Sequence, residues 1–535
     1  MRKYFSKKWM AFMLAVMMVL SSGVTVFAES EAVNEKEAAI IDISELSTLV
    51  LPEAPETKPA VMLNGEYVAF SDAAPANING RVMVPFRAIL EAMGAAVEYD
   101  TESKEISAVL GEKEISFYAG KSELVITEGE KTDTVEMDVL PFIDGYTKRT
   151  YVSSRFVAEA FGYSVAWDHA NKTVVIIDFE PIVQEAAEKF SILGLMFDNQ
   201  NMDMTVPYKT TGDLAMDITI GADAMKALTG KNDAKALEFG IDGKFDGISQ
   251  GMTAEMEMAV EIDLEDLMNA LELAGTADGE ILKTVLSNLS MEIKMDEENI
   301  YLNMPMLDYF IDSTGGKTAS GTPAQETWYK MPLETVFSVY EAMGIDLAAM
   351  ISEIETAEDF EGFLRLMVHL CESEMTIDTY YTIQVLGAVL NEVMGDSAFT
   401  TRTSGSTKIH TMVFDAAAIS EIAGVLGEEE AAKELLDAFK EEGVDFGLSL
   451  TIRERNDALV DFTMDFYIEA DGIGALTVKE SGDLYNAKVE VSIAASDWFE
   501  ILINTTEKIT KTSTKPDLTI PEDAVIVDMA EEGMI

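Results

Sequence analysis

Arg81-Val82-Met83-Val84-Pro85-Phe86-Arg87 returns 68 residues later as Arg149-Thr150-Tyr151-Val152-Ser153-Ser154-Arg155, and the correspondence runs without a gap through Val109 and Ile177. Nine of the 29 aligned positions are identical, against roughly two expected by chance, so the stretch is an internal duplication. The matched positions include Arg87/Arg155, Glu91/Glu159, Gly94/Gly162, Val97/Val165, Asp100/Asp168 and Lys104/Lys172, with the aromatic pair Tyr99/Trp167 between them. Each copy reads as a short strand, a helix of about two turns, a glycine stop and a two-stranded hairpin. Phe86, Ile89, Leu90 and Met93 recur at helical spacing, and Gly94 stands where a left-handed cap is favoured. The second copy repeats this with Phe156, Val157, Ala160, Phe161 and Gly162. Val97 and Tyr99 alternate with Ile106 and Ala108 around Asp100-Thr101-Glu102-Ser103, matched by Val165, Trp167, Val174 and Ile176 around Asp168-His169-Ala170-Asn171. One copy is too small to hold a core, so the two are expected to pack as one α+β module over 59–178.

At Asn79-Gly80-Arg81 through Pro85-Phe86-Arg87, Glu91-Ala92-Met93-Gly94, Trp167-Asp168 and Val174-Val175-Ile176-Ile177, this module resembles the copper amine oxidase N-terminal-like domain, or stalk domain. The resemblance implies an accessory module on exported bacterial proteins, often at the cell surface. It does not imply copper. A copper amine oxidase needs a His-rich metal site and a tyrosine-derived quinone in a separate catalytic domain, whereas this chain holds only His169, His369 and His410, with no His-x-His pair. Imidazole ligands for Cu(II) are therefore lacking. No cofactor or metal site is expected, and the chain is not read as an amine oxidase.

N-terminal to the module, residues 29–58 are rich in Glu, Ala and Pro and read as a flexible linker. Residues 1–28 read as a secretory signal peptide. Arg2, Lys3, Lys7 and Lys8 form its basic start, Trp9 to Leu20 its apolar run, and Val26 and Ala28 its cleavage site. The run is shorter than the roughly 20 residues of a spanning helix, and no later segment is as apolar, so no integral span is expected after cleavage. The expected location is extracellular, with association at the cell surface. A single cysteine, Cys371, excludes an intramolecular disulfide, and no cysteine follows the signal to accept a lipoprotein's acyl chains. Leu51-Pro52-Glu53-Ala54-Pro55-Glu56-Thr57 lacks the features of a sortase signal and reads as linker.

The chain has 535 residues, 38 Lys+Arg and 96 Asp+Glu, giving a formal net charge of −58. Such a field repels phosphate backbones and anionic lipid, so nucleic acid is excluded as a partner. The length calls for more than one domain.

Beyond Asp178 the pattern changes to long alternating strands and amphipathic helices. Met252, Ala254, Met256, Met258, Val260 and Ile262 share one face, and Glu255, Glu257, Glu261 and Asp263 the other. Leu214, Met216, Ile218 and Ile220 oppose Asp213 and Asp217, and Leu289, Met291, Ile293 and Met295 oppose Glu292 and Lys294. Phe446 to Ile452, Val460 to Ile468 and Val489 to Ile493 add three more strands. One apolar and one acidic face describe a large, curved antiparallel sheet covered on one side. Cover is expected from helices at Ile182 to Leu193, Leu264 to Leu273, Leu333 to Ile354, Phe360 to Cys371, Tyr380 to Met394 and Ala416 to Phe439. The Gly/Ser/Thr-rich stretch Ser313 to Gln325 reads as an exposed loop.

Ile300-Tyr301-Leu302-Asn303-Met304-Pro305, Trp328-Tyr329-Lys330-Met331-Pro332 and Ile520-Pro521-Glu522-Asp523-Ala524 resemble the LolA-like half-barrel carriers of bacterial envelopes. Residues 179–535 would then be a half-barrel with a helical insertion at 333–396. The resemblance implies a concave apolar face that binds lipid or lipid-linked cargo. Thirty-two methionines suit an adaptable apolar cavity, because thioethers are unbranched and polarizable. The simpler reading is that they fill an ordinary core between sheet and helices, and a Met-based Cu(I) site is a third alternative. Candidate cavity-lining residues are Met216, Met256, Met258, Met291, Met295, Met304 and Met464.

No His-Glu-x-x-His motif or complete phosphate-binding loop is present. Gly247-Ile248-Ser249-Gln250-Gly251 fits Gly-x-Ser-x-Gly but precedes a strand rather than a helix, so it reads as a hairpin turn. The sequence thus points to a secreted, non-catalytic bacterial cell-envelope protein binding an apolar or wall-associated ligand. The alternatives are a structural or adhesive surface component with no small ligand, and a hydrolase whose site carries no recognised motif.

Overall fold

A computed structural model of the chain describes Pro55 and residues 59–198, 205–270, 273–286, 289–306, 326–342, 359–372, 375–426, 429–496 and 498–531. The signal peptide, its cleavage site, the linker apart from Pro55, and the Ser313 to Gln325 loop lie outside the described residues. Contacts divide the chain into two units, one of Ser30–Phe190 with Glu353–Asn391 and one of Ser191–Ser352 with Glu392–Ile535.

The duplicated unit contains Ala60–Leu63 (β1), Glu66–Tyr67 (β2), Ala76–Ile78 (β3), Arg81–Pro85 (β4), Ala96–Tyr99 (β5), Glu105–Leu110 (β6), Lys113–Tyr118 (β7), Glu123–Glu128 (β8), Lys131–Glu136 (β9), Phe142–Ile143 (β10), Thr150–Ser153 (β11), Ser164–Asp168 (β12) and Thr173–Ile177 (β13). Both copies follow the expected order. In the first, β4 leads into the helix Phe86–Ala92 and then the hairpin β5–β6; in the second, β11 leads into Ser154–Ala160 and then β12–β13. The strands β4 and β11 pair antiparallel with Val84 directly opposite Val152. These are the same position in the two copies, so a local twofold axis passes through the pair. Gly94 (φ +87°) and Gly162 (φ +90°) end the two helices in the left-handed region, where a Cβ would be strained. Their N–H groups donate to Glu91 and Glu159 carbonyls, and the next N–H groups, of Ala95 and Tyr163, donate to Leu90 and Ala158. Val84, Val152, Ile89, Leu90, Val157 and Ala158 all enter one shared core.

The copies then diverge. The first hairpin extends into a five-stranded antiparallel sheet, β5-β6-β7-β8-β9, whereas the second joins a sheet of order β12-β13-β1-β2. All five residues of β13 are buried: Val174 and Ile176 face the shared core, and Val175 and Ile177 a second one. A strand buried on both faces suits a parallel neighbour, and β1 supplies it. The second core is closed from far along the chain. Met62, Ala166, Val175, Ile177 and Phe179 pack with Met375, Ile377 and Tyr380, from the segment around the helices Phe360–Glu372 and Ile377–Met394. These helices are expected from their periodicity to cover the large sheet, and they instead close this second core. Their apolar faces announce burial, but periodicity does not say against which sheet.

Asp168 shows how the helix is attached. Its buried carboxylate accepts the N–H and Nδ2 of Asn171, both at 2.9 Å, and the N–H of Ile377 at 3.2 Å. The equivalent Asp100 serves only its own exposed turn, accepting from Glu102 and Ser103. One turn residue thus acquires a second role, capping a helix N-terminus. Tyr381 Oη donates to the Gly65 carbonyl at 2.7 Å, and Arg365 bonds both carboxylate oxygens of Glu180 at 2.7 and 3.1 Å.

Burial pushes the Asp168 carboxyl up, but the hydrogen bonds from Asn171, Ile377 and Ala170 outweigh it and hold it below the usual range. Because the folded value lies below the unfolded one, its stabilisation is complete above the ordinary carboxylate range and disappears as pH falls through the folded value. Asp168→Asn is therefore expected to destabilise this unit by about 2 kcal/mol at neutral pH, with the gap closing in acid. Thermal melts at about pH 7 and about pH 2 check this; an equal gap at both would remove the charge from the explanation.

The second unit contains Tyr208–Ile220 (β14), Leu237–Gln250 (β15), Thr253–Ile262 (β16), Met291–Met295 (β17), Asn299–Asn303 (β18), Thr327–Pro332 (β19), Thr400–Ser404 (β20), Thr407–Phe414 (β21), Val444–Arg455 (β22), Ala458–Ala470 (β23), Gly474–Gly482 (β24), Asn486–Ala495 (β25), Phe499–Lys511 (β26) and Val525–Asp528 (β27). They form one 14-stranded sheet of order β20-β21-β22-β23-β24-β25-β26-β14-β15-β16-β17-β18-β19-β27. Every pairing is antiparallel except β19 with β27. The chain is therefore α+β, with the large curved sheet that alternation implies. Its first and last long strands, β14 and β26, pair along 13 residue pairs and join the two runs of strands. After β26 the chain crosses the acidic face, where the Asp517 N–H meets the Glu255 carboxylate at 2.9 Å and Lys294 Nζ the Thr519 carbonyl at 2.6 Å. That crossover is what delivers β27 parallel to β19. The edge strand β20 is short, polar and wholly exposed, which discourages pairing with another sheet.

Candidate functional site

Cross-strand register fixes what each face of the large sheet carries. Phe414, Leu448, Phe466, Val478, Val491, Ile503, Met216, Ile241 and Ile262 lie directly opposite one another in succession, one on each strand from β21 to β16. A nine-strand apolar row results, and all of it except Leu448 is only half-buried. Further rows on this face run Met256–Ile293–Leu302–Tyr329 and Ala254–Met295–Ile300–Met331, and Met258 sits opposite Met291.

Six of the candidate methionines, Met216, Met256, Met258, Met291, Met295 and Met464, thus share one face. Met304 directly follows β18 and is also half-buried. Met464, unlike the rest, is buried, with Met412, Leu450, Ile452 and Phe462 at the β21–β23 end. Helices pack near both ends of the row: Leu264–Ala270 against β15, Ala416–Leu426 against β21 and Glu429–Glu441 against β22. Phe439 of the last meets Phe446 edge-on, ring centroids 5.7 Å apart. Between them Val478, Val491, Ile493, Ile501 and Ile503 remain part-exposed.

The other face is acidic and wet, with Asp213, Asp217, Glu257 and Glu261 exposed. Asp246, Glu257 and Glu292 stand directly opposite one another across β15, β16 and β17, an arrangement that opposes pairing. Burial, reinforced by the Glu257 and Glu326 carboxylates, holds Glu292 above the usual carboxylate range. A cavity of about 800 Å³ crosses these strands, its wall including Phe245, Met258 and Met291 as well as Asp213, Glu257 and Glu292.

A polar cluster on the apolar face escaped sequence reasoning. Buried His410 has Nδ1 2.8 Å from Thr401 Oγ1 and Nε2 2.9 Å from an oxygen of buried Glu454, whose other oxygen accepts from Lys408 Nζ at 2.8 Å. Burial pushes the Glu454 carboxyl up, but hydrogen bonds from Lys408 and His410 more than offset this and hold it below the usual range. The available signal was Lys408 and His410 occupying the same alternating positions as Met412 and Phe414. His169 lies in a hairpin turn and His369 on the helix Phe360–Glu372. Among the described residues no group of three or more His, Cys, Asp or Glu side chains is placed to hold a metal ion, and no helix is long and apolar enough to cross a membrane. The Gly-x-Ser-x-Gly stretch lies at the end of β15 and the turn after it. A Cβ at Gly247 would stand 2.7 Å from the Glu255 carbonyl oxygen, so that glycine permits close strand approach.

No curated protein matches the chain significantly. Residues 62–176, the span that carries the duplication, match the family model of the copper amine oxidase N-terminal domain. That span begins in β1 and ends in β13, and it does not include an amine oxidase catalytic domain. The duplicated module is thus similar over nearly its whole length to the copper amine oxidase N-terminal domain.

Proposed function

We propose that this is an exported, non-catalytic cell-envelope protein whose large sheet holds an apolar ligand, a lipid or lipid-linked molecule, on its methionine-bearing face, with the copper amine oxidase N-terminal domain as an accessory module. The observation that carries the reading is the nine-strand apolar row, left half-buried between helices that pack near its two ends. Apolar surface on this scale gains free energy when a ligand removes it from water, and thioethers adapt to irregular chains. The LolA-like half-barrel expectation points the same way.

Native mass spectrometry of protein purified gently from its host is expected to show a co-purifying lipid. Met256→Asp with Met258→Asp, which places two carboxylates on the apolar face, is expected to weaken its retention roughly a hundredfold. Ligand-free protein throughout would favour a structural or adhesive surface component instead.

A further inference from the structure

We propose that one end of the large sheet docks into the surface of a lipid membrane of low anionic charge. Three neighbouring chain reversals meet at this end: the β23–β24 turn, the β25–β26 turn, and the passage from β14 through the helix Ala222–Thr229 to β15. They adjoin because Ala475 pairs with Ala494, Phe499 pairs with both Ala495 and Ile220, and the Gly221 N–H donates to the Trp498 carbonyl at 2.8 Å. Each presents a large apolar side chain to water: Ile473 is 66% exposed, Trp498 55% and Leu228 71%.

Turn geometry does not ask for these residues. Tight reversals favour Gly, Asn, Asp and Ser, and three turns at the opposite end of the sheet comply, with Asn456-Asp457, Gly405-Ser406 and Gly251; the β24–β25 turn there carries Tyr485, which is less exposed, at 38%, than any of the three apolar tips. The apolar tips are also well held. Trp498 N–H donates to Ala495 at 2.8 Å, Ile473 N–H to Ala470 at 3.0 Å and the helix-ending Gly230 N–H to Lys226 at 2.9 Å.

The occupant follows from shape and charge. A protein partner needs a continuous complementary face of about 800 Å². Separate projecting tips suit a fluid apolar phase, which needs no fitted shape, and an indole suits the boundary between apolar and wet regions. Across the three reversals Lys226, Lys231 and Lys235 stand against Asp223, Asp233, Asp471 and Asp497, so this end is close to neutral on a strongly acidic chain, which suits a zwitterionic headgroup layer rather than a charged one. The net charge of −58 over the whole chain opposes anionic lipid, so a zwitterionic surface is the better fit. Docking requires nothing bound on the apolar face, so it and the ligand reading fail separately.

Flotation of the full chain with phosphatidylcholine vesicles tests the proposal. The protein is expected to float and its tryptophan emission to shift to the blue, with iodide quenching reduced by vesicles. Mixing in phosphatidylglycerol should weaken binding. The triple variant Leu228→Ser, Ile473→Ser, Trp498→Ser should lose roughly tenfold in partitioning per side chain removed, while melting as the parent does. Failure to float, equal flotation of the variant, or unchanged iodide quenching in the parent would overturn it. So would vesicle-independent self-association that the variant abolishes, since the tips would then join two copies.

Discussion

A fragment cut to residues 59–178, the span with clear duplication, is expected to be unstable and to aggregate, whereas the same span extended to 190 and linked to 353–391 should be a soluble, cooperatively folding unit. The reason is the second core. Met62, Ala166, Val175 and Ile177 are each at most 4% exposed in the whole chain, and their cover comes from Phe179, Met375, Ile377 and Tyr380. Returning three large side chains and one alanine to water costs roughly 5–8 kcal/mol at about 2 kcal/mol each, close to the whole stability of a small domain. Circular dichroism melts of the two fragments decide the matter. Equal midpoints would mean that the helices merely rest on the module. Any cell-wall binding assay of the accessory module should therefore use the longer unit.

Gly212→Ala is expected to destabilise the large sheet by at least about 3 kcal/mol, although it adds a single methyl group in a strand. Gly212 lies in β14, opposite Phe245 on β15 and Glu507 on β26. A Cβ there would fall 2.2 Å from Phe245 Cζ and 2.2 Å from the Thr506 carbonyl oxygen. The ring could turn aside, but the carbonyl belongs to the strand that joins the two halves of the sheet. Gly240→Ala on β15 is the control, because its added Cβ would meet nothing closer than 3.8 Å. Urea unfolding should separate the two variants clearly; matching midpoints would show that β26 yields at little cost.

Much of this architecture is legible in the amino-acid sequence. The offset of 68 foretold two strand–helix–hairpin units, and Gly94 and Gly162 foretold where their helices stop, because only a residue without Cβ takes that backbone freely. Alternation in Met252 to Ile262 foretold which side chains share a face, since the period of a strand is two. The His410–Glu454 pair was not legible, because its members lie on different strands and register alone brings them together. Nor was the fate of the helices Phe360–Glu372 and Ile377–Met394, whose amphipathicity is satisfied equally by either sheet. The match of residues 62–176 to the copper amine oxidase N-terminal domain agrees with the family read from the duplicated motif.

Local pattern by itself determined the two strand–helix–hairpin units, the faces of the strands with clear alternation and the acidic character of one side of the large sheet, because each depends on residues close together in the chain. Weakly patterned strands such as β7 to β9 and β26 emerged only from their pairing. Tertiary structure alone decided that Val84 meets Val152, that β26 returns to β14, that a single apolar row spans nine strands, and that Asp168 caps a helix 209 residues further on. Those outcomes depend on which surfaces exclude water together, and that is a property of the folded chain as a whole.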